Sequence, residues 1–267
     1  MIKDEIGVIC QARLSSRRLP GKVLYDLGYG NSIKLIHSRY LKQLDKDYKL
    51  IIATSTSPED RAIEAFCRER DISCFKGSLD NVLERYYQCS LKYNFKYIIR
   101  ITADCPFIDF TSVPNMLEIL QNSNSDYITN SHNESGHVPD GFDLEIFTFD
   151  ALSKAYNLPD LLPSEKEHVT FQFLKRSNFK SILYRKSPDF IKNLRLTLDE
   201  PEDYKLIRKL TKNIDYEELQ SISMIEICNY ILENNLSDIN ANIIKNSGWA
   251  SAFEKDSIFL NNRKNSE

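Results

Sequence analysis

The sequence predicts an α/β protein: a Rossmann-like, mostly parallel sheet flanked by helices, with a smaller antiparallel lobe and a helical C-terminal appendage. Three observations carry that expectation. Short runs rich in β-branched residues recur at 6–10, 49–54, 72–75 and 96–102. Helical patterns separate them, and strands alternating with helices at this spacing form βαβ units and a parallel sheet. Beyond about Tyr127 the regularity lapses, and residues 143–147 (DLEIF) alternate as an antiparallel strand does.

The first run (IGVIC) ends in a polar, basic loop at 11–22, and a helical pattern follows at 31–44. KLIIAT at 49–54 reads as a second buried strand. Ser57-Pro58-Glu59-Asp60 then starts a helix, because serine caps well, proline suits the first turn and acids favour its positive end. A third strand at 72–75, a helix at 80–93 and a fourth strand at 96–102 (KYIIRIT) complete the regular half. Later, residues 164–174 look helical, with Ser164 and Glu167 at capping-box spacing. Residues 195–198 read as another short strand, and Glu200-Pro201-Glu202-Asp203 opens a helix. From Asn213 the chain is Asn-, Ile- and Glu-rich. This divides it into a main domain at 1–212 and a mainly helical appendage at 213–267, with a frayed tail near 261–267.

Composition excludes several classes of function. The formal net charge is −3, so no broad basic face for nucleic acid is expected. No apolar run approaches the roughly 18 residues that span a bilayer. The apolar stretch near the N-terminus is short for a signal peptide and lacks a cleavage site, which points to the cytoplasm. Six cysteines occur without a CxxC pair, and four histidines without HExxH, so a zinc centre is not expected and the thiols read as buried and reduced.

Ligands on parallel sheets sit beyond the carboxyl ends of the strands. The loop at 11–22, QARLSSRRLPGK, leaves the first strand there and carries Arg13, Arg17, Arg18 and Lys22, with Pro20-Gly21 fixing a turn. A polyphosphate needs several cations and closely approaching backbone N–H groups, and this loop supplies both. It is neither a Walker A loop nor GxGxxG. The bland alternative is a solvated basic loop. Asp104 follows the fourth strand, where an acid can hold a hard cation such as Mg²⁺, and Asp199 ends the run RLTLD as a natural second carboxylate. An Asx-turn before Pro106 and a helix cap at Asp199 are the competing readings. Arg100 interrupts an apolar strand and needs a partner, either Asp104 or a ligand. The tyrosines at 86, 87 and 93 read as core. His37, His132 and His137 are given no role.

Five segments, in order, resemble the cytidylyltransferases that activate sugar acids, and most of all their spore-coat and surface-polysaccharide branch, related to the CMP-KDO and CMP-sialic acid synthetases. They are residues 11–22, 77–86 (GSLDNVLERY), 100–109 (RITADCPFID), 167–170 (EHVT) and 195–203 (RLTLDEPED). The family often carries glycine where Ser15 stands and threonine where Arg18 stands. The resemblance implies a nucleotide-diphospho-sugar transferase type of sheet, CTP as nucleotide, Mg²⁺ as cofactor on Asp104 and Asp199, and commonly a homodimer. It implies nucleotide contacts from Gln11, Ala12, Arg13, Ser16, Arg17, Arg18, Lys22, Ser78, Arg100, Thr102 and Ala103, with Arg13, Lys22 and Asp104 in the catalytic centre. It places the small acidic or phosphorylated acceptor near Asp143, Glu145, Glu167 and His168, with His168 a possible general base.

Two rival functions remain open at this point. A sugar-nucleotide-dependent glycosyltransferase shares such a sheet, but usually shows a DxD-type motif where this chain has Ala103-Asp104-Cys105. A non-catalytic nucleotide-binding subunit would use its C-terminal helices, about 216–234, to recruit a partner.

Overall fold

The computed structural model describes residues 5–131, 138–184, 187–243 and 247–264. His132 and His137 lie outside them. Among the described residues seven strands form one sheet: β1 (Ile6–Gln11), β2 (Tyr48–Ser55), β3 (Cys74–Gly77), β4 (Tyr97–Thr102), β5 (Tyr127–Thr129), β6 (Glu145–Thr148) and β7 (Ser181–Leu183). Their order is β3-β2-β1-β4-β6-β5-β7. Every pairing is parallel except the two made by β6, which runs against β4 and β5. The antiparallel element is thus one reversed strand inside the main sheet.

The strands are apolar on both faces because helices cover both. One face packs Val8, Cys10, Ile52, Ile99 and Ile101 against α1 (Ser32–Gln43), α2 (Arg61–Glu69) and α4 (Val113–Asn122). The other packs Ile9, Ile51, Ala53, Ile98 and Phe147 against α3 (Val82–Tyr93) and α5 (Phe149–Tyr156). Tyr86 is core, as expected, and donates to the carbonyls of Ile9 and Ile101. Five of the six cysteines are buried, and Cys74 is half-buried. A third apolar cluster joins α8 (Pro201–Asn213), α9 (Tyr216–Ser221) and α10 (Met224–Glu233) to Leu27, Leu35 and Phe107. Buried Arg39 on α1 ties this cluster down, donating to the carbonyls of Ile108, Leu219 and Ile222.

Five local expectations are corrected. The second helix starts at Arg61 rather than Ser57. Residues 57–60 form a turn, and Asp60 is spent on holding Leu14 and Ser55. The helix expected at 164–174 splits into α6 (Pro163–His168) and α7 (Phe171–Lys175). Val169 between them has φ +60° and centres a tight turn in which Thr170 N–H donates to the His168 carbonyl. Ser164 does not cap α6; the Glu165 carboxylate accepts from Leu162 N–H at 2.9 Å, while Ser164 bonds Asp256. Residues 195–198 make only one bridge, Asp140 to Arg195, instead of a strand. The last helix, α11 (Ser247–Lys264), continues through positions expected to fray.

Candidate active site

The loop after β1 is built as a tight excursion. Ala12 N–H donates to Ala53 carbonyl at 3.0 Å, Leu14 N–H to the buried Asp60 carboxylate at 2.8 Å, and Gly21 N–H returns to Leu14 carbonyl at 2.9 Å. Gly21 sits at φ +75°, a conformation glycine adopts without strain. That turn delivers the next side chain, Lys22, into the interior, where it is only 8% exposed.

The Lys22 ammonium lies between two aspartates from distant segments. It donates to Asp104 Oδ2 at 2.6 Å and to Asp199 Oδ1. Asp104 sits just past β4, and its main-chain carbonyl accepts from Leu198 N–H at 2.7 Å, which brings residue 199 alongside. Asp199 Oδ2 meets Arg18 Nη2 at 2.8 Å and Arg195 Nη2 at 3.3 Å; Arg18 also reaches Glu200 at 3.4 Å. Burial pushes the Asp104 carboxyl up, but the adjacent ammonium more than reverses this and leaves it at about 2. Burial likewise pulls the Lys22 ammonium down, and Asp104 and Asp199 outweigh it to raise its pKa.

Behind this cluster stands Arg195, which pairs with Asp140 and donates Nε to Asp203 Oδ1 at 3.0 Å. Buried Asp203 also accepts the N–H groups of Asp199 and Glu200 at 3.0 and 2.9 Å and the Asn240 amide at 2.8 Å. Gly141, φ +106°, lets residues 139–143 press against residues 196–197, where a Cβ would meet the Leu196 carbonyl carbon at 2.5 Å. Burial and the Asp143 carboxylate push Asp140 up to about 7 against the pull of Arg195. Asp143 is raised as well, chiefly by burial, although it accepts from Gly141 N–H at 3.2 Å.

A second group lies on the α3 side of the sheet. Arg100 pairs with Glu145 on β6 rather than with Asp104. Glu145 also accepts from Tyr127 hydroxyl at 2.6 Å and from Thr170. Gln11 at the end of β1 has its Oε1 enclosed without a partner, and so has the Nε of Arg100. His168 stacks on Phe171 with centroids 4.4 Å apart. Burial, aided by the Arg100 charge, lowers it to about 4. It is therefore neutral at physiological pH and suited to hydrogen bonding more than to proton uptake. A third contact links Arg13 Nη2 to Glu167 Oε1 at 3.7 Å, while Lys255 of α11 holds Glu167 Oε2 at 2.7 Å.

The remaining predicted residues are engaged locally. Ser16 Oγ accepts from Leu19 N–H at 3.3 Å, and Arg17 is exposed. Ser78 Oγ accepts from Asn81 N–H at 3.1 Å, and its carbonyl holds buried Arg85. Thr102 Oγ1 is 3.2 Å from Cys105 Sγ, and Ala103 N–H donates to Gln11 carbonyl at 2.9 Å. Sequence reasoning missed Asp60, Arg195, Asp203 and Lys255. The Glu200-x-x-Asp203 spacing was the one usable signal: Asp203 does cap α8, and the same carboxylate fixes Asp199.

The sequence pattern of the family described as Cytidylyltransferase matches residues 7–226, which takes in the loop, Asp104 and Asp199 together. The chain belongs to the cytidylyltransferase family. As a cytidylyltransferase it is a nucleotidyl-transferring enzyme, and the glycosyltransferase reading is set aside. It is 33% identical over 246 residues to an uncharacterized protein of Methanocaldococcus jannaschii, covering 91% of this chain and 96% of the relative. It is 31% identical over 219 residues to the spore coat polysaccharide biosynthesis protein SpsF of Bacillus subtilis, covering 78% and 86%. Among solved structures, a cytidylyltransferase from Leptospira borgpetersenii superposes with TM-score 0.78 at 28% identity, over 90% of this cytidylyltransferase and 98% of the other. A CMP:2-keto-3-deoxy-manno-octonic acid synthetase shares the fold at TM-score 0.57 and 17% identity, over 78% and 98%. Among the described residues no helix is long and apolar enough to cross a membrane.

Proposed function

We propose that this cytidylyltransferase moves the cytidylyl group of CTP onto a small acidic or phosphorylated acceptor for surface-glycan synthesis, in the cytoplasm, releasing pyrophosphate. The observation that carries this reading is the convergence of Lys22 and Arg18, from the loop after β1, with Asp104 and Asp199. Cations that already gather around carboxylates at strand ends are placed to receive a triphosphate. The oxygens of Asp104 and Asp199 converge on one cation, Lys22 Nζ. Two carboxylates are the usual protein share of a Mg²⁺ site completed by phosphates and water, so the residues fit the metal. When bound, Mg²⁺ supplies Lewis-acid polarisation of phosphate oxygens.

The acceptor oxygen attacks the α-phosphorus: a P–O bond to the acceptor forms as the bond from the α-phosphorus to the α–β bridging oxygen breaks, pyrophosphate departs on that oxygen, and a hydroxyl acceptor releases its proton to solvent. Lys22 and Arg13 neutralise charge on the phosphates, with Arg18 and Arg17 assisting. Gln11, Ala12, Ser16, Ser78, Thr102 and Ala103 border the nucleotide. Asp143, Glu145, Glu167 and neutral His168 orient the acceptor, and Arg100 acts through Glu145. Little covalent work falls to the protein; positioning and electrostatics dominate. Similarity to SpsF supports a place in polysaccharide synthesis, and a 31% match over 133 residues, 48% of this chain, to the 3-deoxy-manno-octulosonate cytidylyltransferase of Rickettsia akari supports a sugar acid as acceptor.

A pyrophosphate-release screen crossing four nucleoside triphosphates with sugar acids and polyol phosphates tests the proposal. Release with CTP and one acceptor class, reduced by roughly 10²–10³ in Lys22→Ala and Asp104→Ala, is expected. CTP binding without turnover on any acceptor would instead favour a non-catalytic subunit. The working unit is taken as a homodimer, with residues 213–267 as its helical appendage; light scattering on the full chain reads the first.

A further inference from the structure

The position offered to a divalent cation is filled by the protein's own charge. Lys22 Nζ touches one oxygen of each candidate ligand, Asp104 and Asp199, and Arg18 and Arg195 take the other oxygen of Asp199. Lys22 is 8% exposed and Asp199 17%, so these contacts are sheltered from screening by water. A metal ion arriving alone would have to displace a buried ammonium it cannot rehouse, since leaving Lys22 unpaired beside two part-buried carboxylates, Asp104 26% and Asp199 17% exposed, is costly. A triphosphate changes the balance. It brings anionic oxygens for Lys22 and Arg18, which already project from the loop that leaves β1, and so frees the aspartate oxygens.

The geometry points to Lys22 as an internal stand-in cation that keeps the metal position closed until nucleotide arrives. This inference rests on the assignment of Asp104 and Asp199 as metal ligands. Coupling of this kind is reciprocal: whatever factor the nucleotide adds to metal affinity, the metal adds to nucleotide affinity.

The test is Mn²⁺ binding, followed by electron paramagnetic resonance on the full chain with no nucleotide present. Wild type is expected to bind weakly, and Lys22→Gln and Lys22→Met about tenfold or more tightly. That gain should vanish when Asp104→Asn is added. In the same samples both Lys22 variants should melt below wild type without metal and recover with Mn²⁺. Tight Mn²⁺ binding by wild type alone would overturn the stand-in role and needs no variant to fold; its loss in Asp104→Asn would leave the metal assignment intact. Lys22 variants that fold yet gain no affinity would overturn it too. Mn²⁺ binding indifferent to both Asp104→Asn and Asp199→Asn would overturn the metal assignment, and the inference with it.

Discussion

Replacing Asp203 tests whether Asp199 is held by a buried scaffold. Asp203 is 1% exposed and accepts from Arg195 Nε, the N–H groups of Asp199 and Glu200, and the Asn240 amide. Asp203→Ala leaves two N–H donors and a 5%-exposed guanidinium short of a partner. Breaking a buried ion pair from one side costs about 3–5 kcal/mol. Asp140 still faces Arg195, which puts the loss near the lower figure. For a chain of this size that is a fall in melting temperature on the order of 10 °C. Asp203→Asn keeps one acceptor and falls between. Glu202→Ala, one position away and 44% exposed at the side chain, should change stability by less than about 0.5 kcal/mol. Thermal melts by circular dichroism, with urea titration alongside, read the stability. Pyrophosphate release reads the consequence: kcat/KM should fall with Asp203→Ala although the residue touches no substrate. A melting temperature within about 2 °C of wild type would refute the scaffold argument.

Asp140, raised to about 7, binds a proton more readily folded than unfolded. Its contribution to stability is complete below the unfolded carboxyl range and is lost as pH rises through about 7. Asp140→Asn should flatten that decline in urea titrations run in chelator. Asp104, held at about 2, works in the opposite sense, its contribution disappearing only in strong acid. At Val169, fully buried with φ +60°, Gly should be less destabilising than Ala, an inversion of the usual order, because strain of about 1–3 kcal/mol is relieved; paired melts decide. Asp256 receives both N–H and hydroxyl of Ser164, at 2.8 and 2.6 Å. Asp256→Ala should cost about 2 kcal/mol and speed amide exchange in α6 and α11, while exchange in β1 and β4 stays unchanged.

What could be read in the sequence follows from range. Alternating runs and capping residues are local, so β1, β2, β4 and their helices are legible, as is the basic loop. Lys22, Asp104 and Asp199 could be named because each lies at the edge of such a run. Their meeting could not be derived without the fold, because it depends on the Leu198–Asp104 main-chain bond across distant segments. β5 and β7 are three residues each, and their sequences, YIT and SIL, carry no period. Arg100 was marked as needing a partner, but Glu145 is supplied only by the antiparallel register of β4 and β6, where the two are paired. The break at Val169 has no local sign, since valine is a poor candidate for positive φ; tertiary contacts impose it. Lys255 lies beyond the segments that carry the resemblance, so nothing marked it.

The reversal of β6 changes which stretch of chain supplies each side of the candidate site. The exits of β1, β3 and β4 lead to the predicted site residues, whereas β6 lends its entrance, and residues 138–144 arrive there before the strand begins. Insertions after β1 or β4 would therefore change the side proposed for the triphosphate, and insertions ahead of β6 the opposite one. Under the function proposed above, the part of the acceptor side that precedes β6 is open to change independently of the loops assigned to the triphosphate, while Glu167 and His168 on α6 stay as they are.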